Sequence, residues 1–569
     1  MSTPHRFLII GGVAGGMSAA TRLRRNDETA HITVLERGPH VSFANCGLPY
    51  HVGGVIAQRD DLLLQTPESL ADRFNIDVRI NTEAVSIDRT TRSVTARDLV
   101  SGSELSFSYD ALILSPGATP FIPDIPGIDR ALTLRNIPDV DAMKEALTGA
   151  PRHAVILGAG FIGLELAENL VERNLSVALV ERADQILAPL DPEMAQPIAE
   201  HLACHHVEIH LGSEAVRITD DAVELASGEL LEADIVIAAI GVRPESTLAQ
   251  AAGLVIGERG GIVVDEQQRT SDPAIFAVGD AAEKIDAIDG SATLVPLAQT
   301  ANRHGRLVAD VITGRDTSSR PVLGTAVVGV LGMTVAATGW NEKRLQAMGR
   351  RYRAIHTHPN DHASYYPGAE GMALKLLVDP ATDQILGAQA VGRSGVDKRI
   401  DIIATAMRGG LTASDLADLE LAYAPQYGSA KDPVNMLGMI NDNLASSSLS
   451  STQWHELAAA VRHGATVIDV RDPEEITHDG AIPDAINIPV DQLRTRLHEL
   501  PDGKLIVACA VGVRANVAAR LLHHHGHDAS ILDGGYATWR AATAASVTAA
   551  PGVRLGTVNV SRTEPSRVM

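Results

Sequence analysis

The run Ala154-Val155-Ile156-Leu157-Gly158-Ala159-Gly160-Phe161-Ile162-Gly163 is a short apolar, β-rich segment that breaks directly into glycines spaced G-x-G-x-x-G. An apolar helix-like stretch follows, and the strand Val177 to Val180 ends in Glu181, 18 residues after Gly163. Glycines so placed let backbone amides at a helix N-terminus approach a pyrophosphate, and an acid closing the next strand accepts hydrogen bonds from a ribose. The same start occurs once before, in Phe7-Leu8-Ile9-Ile10-Gly11. There Gly11 and Gly16 hold the outer positions, Val13 replaces the middle glycine, and Glu36 ends the strand Ile32 to Leu35, 20 residues beyond Gly16. A glycine pattern alone is weak. Strand, turn, helix and acid in register make both copies dinucleotide-binding starts, an internal duplication.

The chain has 569 residues, enough for three or four domains, which excludes a single small binding module. A formal charge of −22, from 48 Lys and Arg against 70 Asp and Glu, has the wrong sign for a nucleic-acid or anionic-membrane binder. Aromatic residues are only 3%, so Val, Ile, Leu and Ala must build the core, which suits α/β sheets. The three cysteines, Cys46, Cys204 and Cys509, make neither a disulfide framework nor a four-thiolate zinc site, and a reducing cytoplasm is the default. The chain enters a strand at Arg6 without a secretory signal pattern. Leu323 to Gly339 is interrupted by Gly and Thr and reads as strands rather than a membrane span. A serine-rich run within 441–452 reads as a linker, and 546–569 as a loose tail.

After Glu36 comes Ser42-Phe43-Ala44-Asn45-Cys46-Gly47-Leu48-Pro49-Tyr50. With the two nucleotide-binding starts and Thr270-Ser271-Asp272-Pro273-Ala274-Ile275-Phe276-Ala277-Val278-Gly279-Asp280, this resembles the flavin-dependent pyridine nucleotide-disulfide oxidoreductases over about residues 5–440. The cysteine run is similar to the coenzyme A-disulfide reductase branch, of NADH-dependent persulfide reductase type. The resemblance implies FAD held through Gly11, Gly16, Glu36 and Asp280, and a nicotinamide nucleotide held through Gly158, Gly160, Gly163 and Glu181. Glu181 would repel a 2′-phosphate and favour NADH, while the adjacent Arg182 leaves NADPH open. No second thiol lies at C-x-x-C or C-x₄-C spacing from Cys46, so that cysteine must work alone, through a mixed disulfide, a persulfide or a sulfenic acid. A low thiol pKa there needs a positive environment or a helix N-terminus. Ser42 and Asn45 are near enough in sequence to bond the sulfur or substrate, or to serve as turn caps. Arg22, Arg24 and Arg25 lie where the family binds the coenzyme A nucleotide, or form a solvated basic face. The resemblance further implies a dimerisation domain that lends residues to the partner's site; Tyr365 and Tyr423 are the candidates there, with Tyr366 and Tyr427 as competitors.

Near the C-terminus, Cys509-Ala510-Val511-Gly512-Val513-Arg514 follows a strand directly, a loop able to cradle an anion before a helix. Together with Val467-Ile468-Asp469-Val470-Arg471, the segment 480–489, and Leu532-Asp533-Gly534-Gly535 with Trp539, it resembles a rhodanese. Loop amides and Arg514 would stabilise a thiolate and then a persulfide at Cys509. The histidine clusters around Cys204 and at 523–527 lack a zinc-ligand spacing, and no metal is expected.

The expected fold is α/β: two Rossmann-like nucleotide-binding domains, an α+β dimerisation domain and a C-terminal α/β rhodanese domain. The boundaries are FAD-binding 1–150 and 270–324, NAD(H)-binding 151–269, dimerisation 325–440, linker 441–452, rhodanese 453–545 and tail 546–569. The expected activity is that of a cytoplasmic, homodimeric, NADH-consuming reductase of coenzyme A disulfide, coenzyme A persulfide or polysulfide, with sulfane-sulfur transfer at Cys509. The rivals are an NADH oxidase passing through a Cys46 sulfenic acid, and a flavin-bound redox sensor or scaffold.

Overall fold

The computed structural model describes residues 4–446, 449–548 and 554–555. The chain divides into two units, Met1–Leu179 with Ala215–Gly324, and Val180–Glu214 with Thr325–Met569.

In the first unit the strand Arg6–Ile10 lies in a five-stranded parallel sheet of order Ile275–Ala277, Ala111–Leu114, Arg6–Ile10, His31–Leu35, Asp77–Arg79. The two-residue period of a strand sends its side chains to opposite faces. Phe7 and Ile9 join a core with Met17, Leu23 and Val308, on the side of the helices Ala14–Asn26 and Ala298–Ile312. Leu8 and Ile10 join another with Val94 and Ala96, from the antiparallel sheet Thr82–Asp88, Ser93–Asp98, Glu104–Ser108. The duplicate start repeats the plan: His153–Leu157 lies between Ile235–Ala238 and Ser176–Val180, and the helix Phe161–Val171 follows it.

The second unit holds an antiparallel sheet of order Ala326–Val330, Met333–Gly339, Ile385–Gly392, Met372–Val378, Arg353–Thr357, covered by the helices Val396–Gly409 and Pro433–Ala445. The stretch 323–339 thus forms strands, as its composition predicts. A parallel sheet of order Ser450–Thr452, Asp528–Leu532, Lys504–Ala508, Thr466–Asp469, Ile486–Asn487 forms the C-terminal domain.

Three readings of chain organisation change. Residues 180–214, expected with the rest of 151–269, belong to the second unit: the buried carboxylates of Asp191 and Glu193, at the start of the helix Pro192–Cys204, meet the buried Lys375 ammonium of the strand Met372–Val378. The run 441–452 is mostly structured, because the helix continues to Ala445 and Ser450–Thr452 pairs with Ser530–Leu532. At the C-terminus the helix Gly535–Thr548 reaches into the expected tail, and Arg554–Leu555 pairs antiparallel with Ile209 and His210. The rest of 546–569 lies outside the described residues.

Candidate active sites

At the first glycine turn, Gly11 adopts φ +101°, and a Cβ there would lie 2.0 Å from the Ser115 carbonyl oxygen. A Cβ on Gly16 would lie 1.9 Å from the Gly11 oxygen. These two glycines are therefore fixed by backbone approach. Val13 precedes the helix Ala14–Asn26 at φ −114°, outside the left-handed region that favours glycine. The Glu36 carboxylate accepts from the backbone N–H of Gly12 at 2.8 Å and of Gly38 at 2.7 Å, which fixes its orientation beside the turn. Ser42, at φ +49°, donates its backbone N–H to the Gly12 oxygen and so ties the cysteine segment to this turn. In the second copy Gly158 (φ +101°) and Gly163 are again excluded from carrying a Cβ by backbone, whereas a Cβ on Gly160 would meet nothing within 4 Å. That open face at the start of Phe161–Val171, with no acid in its first turn, fits a pyrophosphate. Glu181 holds the Ala183 N–H at 2.9 Å through its own carboxylate.

Cys46 sits in the 3₁₀ turn Asn45–Gly47 that leads into the helix Leu48–Gly53. The Asn45 amide donates to the Arg135 carbonyl oxygen at 3.2 Å, a turn-bracing role. The Leu48–Gly53 helix packs on Phe161–Val171 so tightly that a Cβ on Gly53 would lie 1.9 Å from Asn169 Oδ1. This brings the Tyr50 hydroxyl within 3.5 Å of Glu165 Oε1. Burial pushes Glu165 up to about 7, with Glu168 adding to the rise and the Tyr50 hydroxyl opposing it. Tyr50 is pushed up to about 12 by burial and then by Glu165 and Glu168. Cys46 is exposed, yet surrounding protein, then Glu165 and Asp280, push its thiol up rather than down. Two carboxyls thus stand near the sulfur where a low thiol pKa would need a positive environment or a helix N-terminus. Asp280, in the turn Gly279–Ala281, is itself raised by burial against the pull of Lys284 and Arg135. Lys284 donates to the Gly279 and Ala282 oxygens at 2.5 and 2.8 Å, and burial brings it down to about 8. Glu165 and Lys284 carried no sequence signal, and Tyr50 only as the end of the cysteine run, since their importance arises from what packs around them.

The arginine cluster separates. All five N–H groups of the buried Arg24 go to backbone oxygens, those of Phe74, Asp27, Glu28, Ala30 and Asn75. It has no donor left for a phosphate, and its expected ligand role is withdrawn. Arg22 is held in a fork by Asp310 at 2.7 and 3.2 Å. Arg25 alone of the three is exposed.

In the second unit, Tyr365 and Tyr423 come together, with their hydroxyls 3.0 Å apart on exposed side chains. Arg399 staples their two segments from beneath. Its Nη2 donates to the Asp361 carbonyl oxygen at 2.7 Å and to Asp432 Oδ2 at 2.9 Å. The Tyr423 hydroxyl bond raises the Tyr365 pKa. Tyr366 instead stacks edge-on with His362, ring centroids 5.8 Å apart.

Cys509 is 1% exposed, and its Sγ accepts from the Gly512 N–H at 3.1 Å and the Ala515 N–H at 3.3 Å, at the start of the helix Val513–His524. The loop amides thus act on the sulfur as expected. Arg514 does not serve it directly: both terminal nitrogens fork onto Glu475 at 2.6 Å, which holds its pKa up first, and the Cys509 charge adds a smaller rise. Around Cys204, His201 and His205 pack at 4.4 Å and bond carbonyl oxygens of Leu331 and His201. Asp191, Glu193 and Glu342 converge as metal ligands would, but they surround the Lys375 ammonium.

Residues 5–305 match the pyridine nucleotide-disulphide oxidoreductase family, residues 325–432 its dimerisation domain, and residues 453–542 the rhodanese-like domain. The chain belongs to the pyridine nucleotide-disulphide oxidoreductases and carries a C-terminal rhodanese-like domain. It is 36% identical over 440 residues to a coenzyme A disulfide reductase of Staphylococcus aureus, covering 76% of this chain and 99% of that protein. Among solved structures, the reduced CoADR-RHD of Bacillus anthracis is 45% identical, with a TM-score of 0.94, covering 95% of this chain and 99% of that one. A NAD-dependent persulfide reductase from A. fulgidus is 37% identical, with a TM-score of 0.88, covering 94% and 100%. Among the described residues no helix is long and apolar enough to cross a membrane.

Proposed function

We propose that the protein is a homodimeric, cytoplasmic flavoenzyme that uses NADH to reduce disulfide or persulfide sulfur carried by coenzyme A, and that its rhodanese domain handles sulfane sulfur at Cys509. The observation that carries this reading is the pairing of a lone cysteine beside a duplicated nucleotide-binding fold with a second cysteine whose sulfur is held by two loop amides. The work divides among a FAD-binding domain (1–150 and 270–324), an NAD(H)-binding domain (151–269, of which 180–214 groups with the second unit), a dimerisation domain (325–440) and the rhodanese domain (453–545).

FAD, when bound, relays two electrons from NADH to sulfur. Gly11, Gly16, Glu36 and Asp280 hold it, and Gly158, Gly160, Gly163 and Glu181 hold the nicotinamide nucleotide. The Cys46 thiolate attacks the substrate sulfur, forming a mixed disulfide with one half and releasing the other as a thiolate. Two electrons then cleave that bond, freeing the second thiol and restoring Cys46. Across the homodimer, the Tyr365 and Tyr423 hydroxyls, bonded to one another, act as a pair that donates to the leaving sulfur at the other protomer's cysteine. Arg25 is the arginine of the first helix that faces solvent and can meet an anionic coenzyme A group.

The test is anaerobic NADH consumption with coenzyme A disulfide, coenzyme A persulfide, polysulfide and glutathione disulfide in parallel. Preference for the coenzyme A species supports the reading; equal sluggishness with all four, beside rapid NADH consumption in air, assigns an NADH oxidase instead. Cys509→Ser should abolish sulfur transfer fed by thiosulfate or a persulfide while leaving coenzyme A disulfide reduction nearly intact. If every sulfane-sulfur activity survives that substitution, the rhodanese domain is a passenger.

A further inference from the structure

His356, on the strand Arg353–Thr357, is fully buried between two carboxylates. Its Nδ1 contacts Asp533 Oδ2 at 2.6 Å and its Nε2 contacts Glu193 Oε1 at 3.1 Å, while its backbone N–H also donates to Asp533. A buried carboxylate left without a cation is strongly unfavourable, so the imidazole is held as the cation. Asp533 and Glu193 raise it to about 9 against burial and the repulsion of Lys375. The charged groups facing this cluster are Asp533, Glu193, Lys375 and, around Lys375, Asp191 and Glu342. His358, two residues on, is pushed down to about 4 by burial and by His356, and so stays neutral.

From Asp533 the chain runs directly to the sulfur site. A Cβ on Gly534 would lie 2.7 Å from His356 Cβ, and one on Gly535 would lie 2.4 Å from the Cys509 carbonyl oxygen. Both glycines have φ +65°. The next two residues bond the loop itself: the Tyr536 N–H donates to the Cys509 oxygen at 2.8 Å, and the Ala537 N–H to the Ala510 oxygen at 3.0 Å. Five consecutive residues, Asp533 to Ala537, therefore link the His356 imidazole to the backbone that carries Cys509.

We infer that His356 is a positioning residue for the Cys509 site, its imidazolium anchoring Asp533 so that Gly534 and the first residues of the helix Gly535–Thr548 hold the Cys509 loop with its amides aimed at the sulfur. This rests on Cys509 being the sulfur-carrying residue, which the sulfur-transfer assays above test separately. Here the readout is the rate of Cys509 alkylation by iodoacetamide in the holoenzyme, resolved peptide by peptide so that exposed Cys204 serves as reference. In the wild type, Cys509 should stay protected relative to Cys204 up to about pH 9 and lose protection as His356 deprotonates. Asp533→Asn keeps the shape and removes the charge. The break should then move down by at least about one pH unit, with Cys509 alkylation at pH 8 about tenfold faster. His356→Asn, which can still donate to Asp533 but does not titrate, should erase the break. A wild-type Cys509-to-Cys204 ratio that is flat from pH 8 to 10 overturns the inference without any variant. So do folded Asp533→Asn and His356→Asn proteins whose profiles match the wild type.

Discussion

Glu165→Gln offers a quantitative test of the environment around Cys46. The Glu165 carboxyl lies beneath the Leu48–Gly53 helix, next to the Tyr50 hydroxyl, and burial lifts it from 4.5 to about 7. A carboxyl raised in this way favours the fold while protonated, an advantage complete below pH 4.5 and lost as pH rises through about 7. At about 1.36 kcal/mol per pH unit, the rise corresponds to about 3 kcal/mol of strain present at pH 8.5 and absent at pH 4.5. Glutamine stays neutral and can still accept from Tyr50. The variant should therefore match the wild type near pH 4.5–5 and exceed it at pH 8.5 by up to about 3 kcal/mol, or several degrees in melting temperature. The same substitution removes a negative charge that raises the Cys46 thiol, so Cys46 should alkylate faster in the variant above pH 7. Melting of the holoenzyme at a series of pH values, with hydrogen exchange across Phe161–Val171 as a local probe, measures the effect. Parallel stability profiles for wild type and variant from pH 4.5 to 9 would refute the placement of a strained carboxyl beside the cysteine.

Cys46→Ser should keep flavin reduction by NADH and lose disulfide and persulfide turnover; retained turnover in a stopped-flow and steady-state comparison would place the chemistry elsewhere. Glu181→Ala removes a ribose acceptor and a repulsive charge, and should erode the NADH preference by about 1–3 kcal/mol, read as the NADH/NADPH ratio of kcat/KM. Arg24→Met leaves five backbone oxygens without their donor and should cost at least about 3 kcal/mol of stability. It should not change the KM for coenzyme A disulfide in the folded protein, whereas Arg25→Ala should raise it; the reverse pattern would restore Arg24 as a ligand.

Features whose cause is local were legible in the sequence. The glycine turns were, because the positive φ at Gly11 and Gly158 and the approach of those residues' own carbonyls to Gly16 and Gly163 arise within one strand-turn-helix segment, although the Ser115 and Ala239 carbonyls that close on Gly11 and Gly158 come from distant parts of the chain. The Cys509 loop was legible for the same reason: its sulfur is held by amides three and six residues ahead. Tyr365 and Tyr423 were found through family resemblance, but the staple beneath them, Arg399 on Asp432 and on the Asp361 oxygen, was not. Burial and charge pairing between distant segments decided the rest. Arg22, Arg24 and Arg25 are near neighbours in sequence, and only the fold gives them an ion pair, a set of carbonyls and solvent respectively. The rise of Glu165 and the His356–Asp533 pair belong to the same class, since a group's charge is set by the dielectric and partners around it, and those partners lie 177 residues away in the second case. The sequence by itself determined which segments form the glycine turns and where the two candidate sulfurs sit in the chain; the tertiary structure decided which charged side chains are free to take part, because only folding fixes what each of them is buried against.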